Sequence, residues 1–284
     1  MQTPVAVVTG AYGGLGSELC KLIAARRISL VLVDRNLQKS KEFAVELNRL
    51  HPGIVQDVFA VDLADHSDVK RLSFELTDKY PRIDFLFNNA GVLTETLQMS
   101  PQHNELHFEV NALAPLALID YLRPALKNAA GAVVISTSAG LSLRAKQLDW
   151  DDLLKPKEFK KLYGPYVNSK QALNVITAAL APELSGDKIT IRTVDPGPNK
   201  TRLTKGKGTP LWMRLFYALL PSPDKGAKKI LDGGLSSQWG TKTGIFISEG
   251  KIQPLPPALA DARFQAEFLR KCRARAALVP DKSP

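Results

Sequence analysis

Tyr166-Val167-Asn168-Ser169-Lys170 holds the two side chains whose spacing carries the sharpest chemistry in this sequence. On a helix, positions i and i+4 share a face, so Tyr166 and Lys170 point the same way. A free tyrosine has a pKa of about 10 and does little acid–base work at neutral pH. A cation beside it favours the phenolate and lowers that value. Such a pair can exchange a proton with an alcohol or carbonyl oxygen. The same spacing arises often by chance, so the pair means little without the rest of the chain.

A second pattern sits near the start, in Thr9-Gly10-Ala11-Tyr12-Gly13-Gly14-Leu15-Gly16. Its spacing is T-G-x-x-x-G-x-G rather than G-x-G-x-x-G. Glycines let the chain turn sharply and bring a phosphate close to bare N–H groups, and a helix N-terminus adds its dipole. A glycine cluster is elsewhere only a turn; this one lies between a strand and a helix, the context a phosphate loop requires. Asp34 lies eighteen positions beyond Gly16 at the end of the next strand. A carboxylate there accepts hydrogen bonds from ribose hydroxyls and repels a 2′-phosphate. Arg35 pulls the other way. NAD is therefore favoured, with NADP left open. Asn88-Asn89-Ala90-Gly91 ends another strand, and an Asn followed by small residues suits backbone approach to a ribose.

The elements that must hold these groups alternate along the chain. Val5–Val8, Leu30–Val33, Asp57–Val61, Phe85–Phe87, Ala132–Ile135, Ile189–Val194 and Gly244–Ile247 read as short apolar strands. Continuous apolar runs of this kind are buried on both faces, as in a parallel sheet. Leu15–Arg26, Leu37–Leu50, Val69–Lys79, Glu105–Leu126, Tyr166–Leu184 and Ala258–Leu278 read as helices. Strand alternating with helix predicts an α/β, doubly wound, Rossmann-type sheet of about seven parallel strands with helices on both faces. With no linker or repeat in 284 residues, one domain over 1–284 is the economical expectation. The two cysteines, Cys20 and Cys272, cannot build a disulfide framework. No targeting pattern opens the chain and no apolar run is long enough to span a membrane, so a cytoplasmic location is expected.

Together these motifs resemble the short-chain dehydrogenase/reductase family, and the resemblance runs from Val5 to about Ile247. It implies hydride exchange between a nicotinamide and an alcohol or carbonyl on an apolar substrate, the alternative being a dinucleotide-binding regulatory or scaffold protein of the same fold that does not catalyse. It assigns Thr9, Gly10, Tyr12, Gly13, Gly14, Leu15 and Gly16 to the cofactor loop. Asp34 and Arg35 fall at the adenosine ribose, Asp62 and Leu63 at the adenine, and Asn89, Ala90 and Gly91 at the cofactor ribose. Aligned from Gly131 through the fifth strand, the family's catalytic serine falls on Ser138, with Thr137 as the alternative register. Asn111 falls on its structural and proton-relay asparagine. The implied catalytic set is Asn111, Ser138, Tyr166 and Lys170, with Lys170 also holding the nicotinamide ribose. Pro196, Gly197 and Thr201 match the loop that meets the carboxamide, although Pro198 and Asn199 depart from the usual pattern. The interval of 28 residues from Ser138 to Tyr166 is longer than in compact members and is similar to the retinol dehydrogenase-like branch.

Residues 200–225 read as a lid, apolar and aromatic from Thr209 to Leu220, which suits an apolar substrate or a membrane surface. Packing on the body is the alternative. Homodimers or homotetramers are common in the family. The four histidines form no metal set, so no metal is expected. A net charge of +10 raises nucleic acid as a partner. The basic clusters are dispersed and carry no nucleic-acid motif, so none is expected. The basic terminal helix over 258–284 leaves peripheral contact with anionic lipid open.

Overall fold

Alternate residues of short strands bury opposite ways and so make two cores, one on each face of a sheet. In the computed structural model, which describes residues 3–211, 214 and 217–277, the strands are β1 (Val5–Thr9), β2 (Ser29–Asp34), β3 (Val55–Ala60), β4 (Phe85–Asn88), β5 (Val133–Thr137), β6 (Thr190–Val194), β7 (Ile245–Ser248) and β8 (Lys251–Gln253). They form one sheet in the order β3-β2-β1-β4-β5-β6-β7-β8. The pairings from β3 through to β7 are parallel, and only β8 runs antiparallel, against β7. Seven parallel strands were expected; the eighth was not. Lys251-Ile252-Gln253 is a short edge segment without an apolar run. What makes it a strand is the turn before it, where Glu249 and Gly250 take φ values of +52° and +71°. Positive φ at both central residues is the hairpin turn that matches strand twist.

Val7, Val31, Val33, Leu86, Val134 and Ile191 point into one core, and Ala6, Val8, Leu30, Leu32, Phe87, Ile135 and Val194 into the other. The helices over the described residues are α1 (Gly14–Ala24), α2 (Leu37–Leu50), α3 (His66–Lys79), α4 (Ala114–Lys127), α5 (Trp150–Leu154), α6 (Pro165–Gly186), α7 (Pro223–Leu235) and α8 (Ala262–Arg275), besides single turns. α1, α2 and α7 cover one face through residues such as Leu19, Leu47 and Leu231. α3, α4, α6 and α8 cover the other through Leu72, Leu122, Leu173 and Phe268. Each of these is fully or nearly fully buried, worth about 1.5–3 kcal/mol relative to exposure.

Two expected helices differ in detail, and one helix was not expected. Glu105–Leu126 is a short turn at Leu106–Phe108, a π-helical turn at Glu109–Leu113, and then α4. The expected Ala258–Leu278 helix breaks at Asp261, whose carboxylate caps α8 by accepting from the Phe264 N–H at 2.8 Å; Leu278 lies outside the described residues. Trp150–Leu154, inside the long interval before Tyr166, is a helix the periodicity did not reveal. Trp212, Met213, Leu215 and Phe216, central to the expected lid, also lie outside the described residues.

α8 is bound to the body by its basic side chains. Arg273 donates to Asp120 at 2.7 and 2.9 Å and to Glu183 at 2.9 and 3.1 Å. Arg275 donates to Asn104 and to the Gln102 and His103 carbonyls. Two of the arginines offered above to lipid are thus committed to the chain itself. Among the described residues, no helix is long and apolar enough to cross a membrane.

Candidate active site

The carboxyl-end loops of the strands enclose a cavity of about 870 Å³, which runs from Asp34 and Arg35 to Ser138, Tyr166 and Lys170. That is the usual place and size for a ligand site in an open parallel sheet. Its floor is the glycine turn between β1 and α1. Gly10 takes φ +67°, and a Cβ there would lie 3.0 Å from the Ala90 Cα. A Cβ on Gly16 would lie 1.9 Å from the Gly10 carbonyl oxygen and 2.9 Å from Asn89 Nδ2. Only glycine fits, because three backbone segments meet there. α1 begins without a side-chain cap. Its first-turn N–H groups are therefore left for a ligand.

Gly10, Tyr12, Gly13, Gly14, Leu15 and Gly16 all line the cavity. Thr9 does not; its hydroxyl accepts the Asn89 and Ala90 N–H groups, both at 3.0 Å, and so ties β4's end to β1. Asn89 Nδ2 donates to the Thr9 and Gly10 carbonyls at 3.0 and 3.3 Å, and its buried Oδ1 has no partner among the described residues. Ala90 and Gly91 continue the wall. An uncapped helix start, bare glycine backbone and an orphaned amide oxygen together fit a dinucleotide.

At the far end Asp34 is only 3% exposed. It accepts from Ser40 Oγ at 2.5 Å and from the Tyr12 N–H at 3.4 Å. Burial outweighs these bonds and raises its pKa to about 6. Arg35 beside it is exposed. Asp62 and Leu63 also line the cavity, where Asp62 accepts from the Ala64 N–H at 3.0 Å. Val61, Met99 and Val110 add apolar wall that the motifs do not reveal. The signal for Met99 is absent from the sequence, because an irregular loop brings it there.

The reactive end is assembled from β5, α6 and the loop after β6. Lys170 Nζ donates to the Thr137 carbonyl at 2.7 Å, and Ser138 Oγ donates to the Lys170 carbonyl at 3.4 Å. Ser138 and Thr137 both line the cavity; the Thr137 hydroxyl oxygen is buried without a partner among the described residues. Asn111 does not line it. Its Oδ1 accepts the Val92 N–H at 2.9 Å, and its Nδ2 donates to the Val92 carbonyl at 3.2 Å and to Ser169 Oγ at 3.1 Å. The π turn brings this side chain against Gly91, where a Cβ would lie 3.1 Å from Oδ1 and 3.5 Å from Lys170 Nζ. Pro196, Gly197 and Thr201 line the cavity too, and Thr201 packs against Gly14. Asp195, which precedes that loop's Pro196, is a further carboxylate in the cavity wall. It accepts from Ser248 Oγ and from the Gly197 N–H, each at 2.8 Å.

The electrostatics correct one expectation. Lys170 was expected to draw the Tyr166 phenol down. Instead burial, helped by the negative charge of Asp195, pushes that phenol well above its ordinary value. Burial also brings Lys170 itself down to about 8. The chain alone therefore holds Tyr166 as the neutral phenol. Among the described residues there is no group of three or more metal-binding side chains.

Comparison with known proteins decides the family. Residues 4–148 match the short chain dehydrogenase family model. The chain belongs to that family. A short-chain dehydrogenase/reductase of Armillaria gallica is 31% identical over 252 residues, covering 86% of this chain and 80% of that one. Retinol dehydrogenase 11 of Mus musculus is 27% identical over 249 residues, covering 87% and 78%. With further retinol dehydrogenases at similar identity, the branch is retinol dehydrogenase-like. Among solved structures, the Pseudomonas aeruginosa RhlG/NADP active-site complex superposes with a TM-score of 0.69 at 21% identity, covering 92% of this chain and 96% of that one. That likeness is one of fold. Family membership makes this chain an NAD(P)-dependent oxidoreductase that interconverts an alcohol and a carbonyl.

Proposed function

We propose that the chain acts on an apolar alcohol, aldehyde or ketone, with Tyr166 as its acid–base group. The observation that carries this reading is one cavity with a glycine cradle at one end and Tyr166, Ser138 and Lys170 at the other. The bound nicotinamide supplies hydride exchange and, when oxidised, a positive charge. Ser138 binds the substrate oxygen through its hydroxyl. Tyr166, a neutral phenol, donates a proton to the carbonyl oxygen in reduction and recovers it in oxidation. Lys170, brought to about 8, exchanges protons near neutral pH and holds the nicotinamide ribose. Asn111 supports the relay by holding Val92 and Ser169 around it. Leu93, Leu141 and Leu162 line the reactive end and favour an apolar substrate.

NAD is the cofactor we favour, because Asp34 at the β2 end would accept ribose hydroxyls and repel a 2′-phosphate. The whole chain acts as one cofactor-binding unit with residues 200–225 as its lid. Assembly as a homodimer or homotetramer belongs to the same proposal and is read by sedimentation velocity. Arg263 and Arg270, exposed on α8, are the basic side chains offered to anionic lipid; liposome flotation reads that contact. The central test pairs thermal shifts with NAD, NADP and their reduced forms with turnover of medium-chain aldehydes, aryl ketones and the matching alcohols. Preference for the phosphorylated pair overturns the role given to Asp34. Turnover surviving in Tyr166→Phe overturns the acid–base assignment.

A further inference from the structure

Glu105 and His107 are each 1% exposed, lie outside the groups assigned above, and touch one another behind the reactive end of the cavity. The Glu105 carboxylate accepts from the Phe108 N–H at 2.9 Å and lies 2.6 Å from His107 Nδ1. On its other side, His107 Nε2 is 3.0 Å from the Thr94 backbone N–H. A backbone N–H can only donate, so Nε2 carries the lone pair and Nδ1 carries the hydrogen that Glu105 accepts. The geometry therefore selects one neutral tautomer. The imidazole and the Tyr166 ring also form a T-shaped pair, with centroids 6.2 Å apart and planes at 82°. Among the described residues, no hydrogen bond holds the Tyr166 hydroxyl. Its aim is set by ring contacts of this kind.

The other end of the same imidazole fixes a wall. Thr94 follows Leu93, which lines the cavity and packs against the Tyr166 cluster. Gly208 rests on this segment, since a Cβ on it would lie 2.6 Å from the Thr94 carbonyl oxygen and 2.7 Å from that of Leu93.

We propose that His107 is a positioning residue. Held by Glu105 in the Nδ1-protonated form, it sets the tilt of Tyr166 through the T-shaped ring contact and pins the Leu93–Thr94 wall with Nε2. This role rests on the acid–base reading of Tyr166. Two variants separate its halves. His107→Gln keeps an acceptor for the Thr94 N–H and a donor for Glu105 but loses the ring. Its kcat should fall about 10–100-fold, the scale of a misaimed reacting group, with KM little changed. His107→Phe keeps a ring but drops both the Thr94 bond and the Nδ1–H bond to Glu105. Its KM should rise about tenfold, as for two lost hydrogen bonds behind the wall, with a smaller change in kcat. Decanal or acetophenone, whichever turns over faster, is the probe, and cofactor affinity should be unchanged in both.

Imidazole ¹⁵N spectra of the wild-type protein provide a readout that needs neither turnover nor a variant. The proposal expects His107 protonated at Nδ1 and bare at Nε2 at neutral pH; the opposite tautomer or an imidazolium overturns it. A Tyr166→Phe variant that still turns over overturns the acid–base reading itself. An inactive Tyr166→Phe, with the two His107 variants alike in kcat and KM, overturns the positioning role alone.

Discussion

The two ends of the cavity are built by different means. The cofactor end is mostly backbone: a glycine turn with no room for a side chain at Gly10 or Gly16, an uncapped helix start, and strand ends laid side by side. The reactive end is mostly side chains that come from β5, α6, the π turn and the loop after β6. Backbone surfaces tolerate no added atom, whereas a side-chain array tolerates small changes in shape but not in charge or aim. The two ends should therefore fail differently when altered.

The largest expected effect is at the reactive end. Tyr166→Phe should lower kcat by about 10²–10⁴-fold, the scale of one general acid–base group, while leaving cofactor affinity intact. Titration with reduced cofactor by fluorescence, beside steady-state kinetics, checks both halves. Loss of affinity as well would blur the contrast between the ends.

Asp34 comes next, and its effect is on stability. Burial raises its pKa from 3.8 to about 6, so the folded chain holds this proton more tightly than the unfolded one. Stability from this group is fully present below pH 3.8 and is lost as pH rises to about 6. The loss is about 3 kcal/mol, because each tenfold gain in proton affinity on folding is worth about 1.4 kcal/mol. Asp34→Asn should thus be more stable than wild type at pH 7, with the gap closing near pH 4, in urea melts at both pH values. The same variant should bind NAD more weakly, which would mark Asp34 as a residue kept for binding at a cost in stability.

At the glycine cradle, Gly16→Ala should cost about 1–3 kcal/mol through overpacking against the Gly10 carbonyl. Its signature should be weakened cofactor binding, read by calorimetry, with kcat at saturating cofactor nearly normal. The smallest effect is expected far from both ends. Arg273→Ala, which removes the α8 ion pairs to Asp120 and Glu183, should cost about 1 kcal/mol and leave kinetics unchanged. A kinetic change there would tie the terminal helix to the site.

The same contrast explains what the sequence could reveal. β1, α1, the glycine turn and Asp34 are neighbours along the chain, so their local pattern carries their geometry. The alternation of apolar runs was likewise enough for seven parallel strands and both helix layers. β8 escaped because its strand character comes from the Glu249-Gly250 turn and not from its own residues. In the sequence, His107 is one of four histidines that form no metal set, and nothing else marks it out. Its role depends on Thr94 and Tyr166, which no spacing places beside it. The direction of the Tyr166 shift is hidden for a similar reason. The i+4 cation is visible in sequence, whereas burial and the approach of Asp195 appear only on folding.

Cys20, on the buried face of α1, lies in one core, and Cys272, on α8, lies in the opposite one. Burial pushes both thiols well above their ordinary range. Each is inert while its layer stays closed and reacts only when that layer opens. The chain thus carries one chemical clock on each face of its sheet. The rates at which an alkylating reagent reaches the two sulfurs would tell whether the layers part together or one at a time, and whether a bound dinucleotide slows only the nearer.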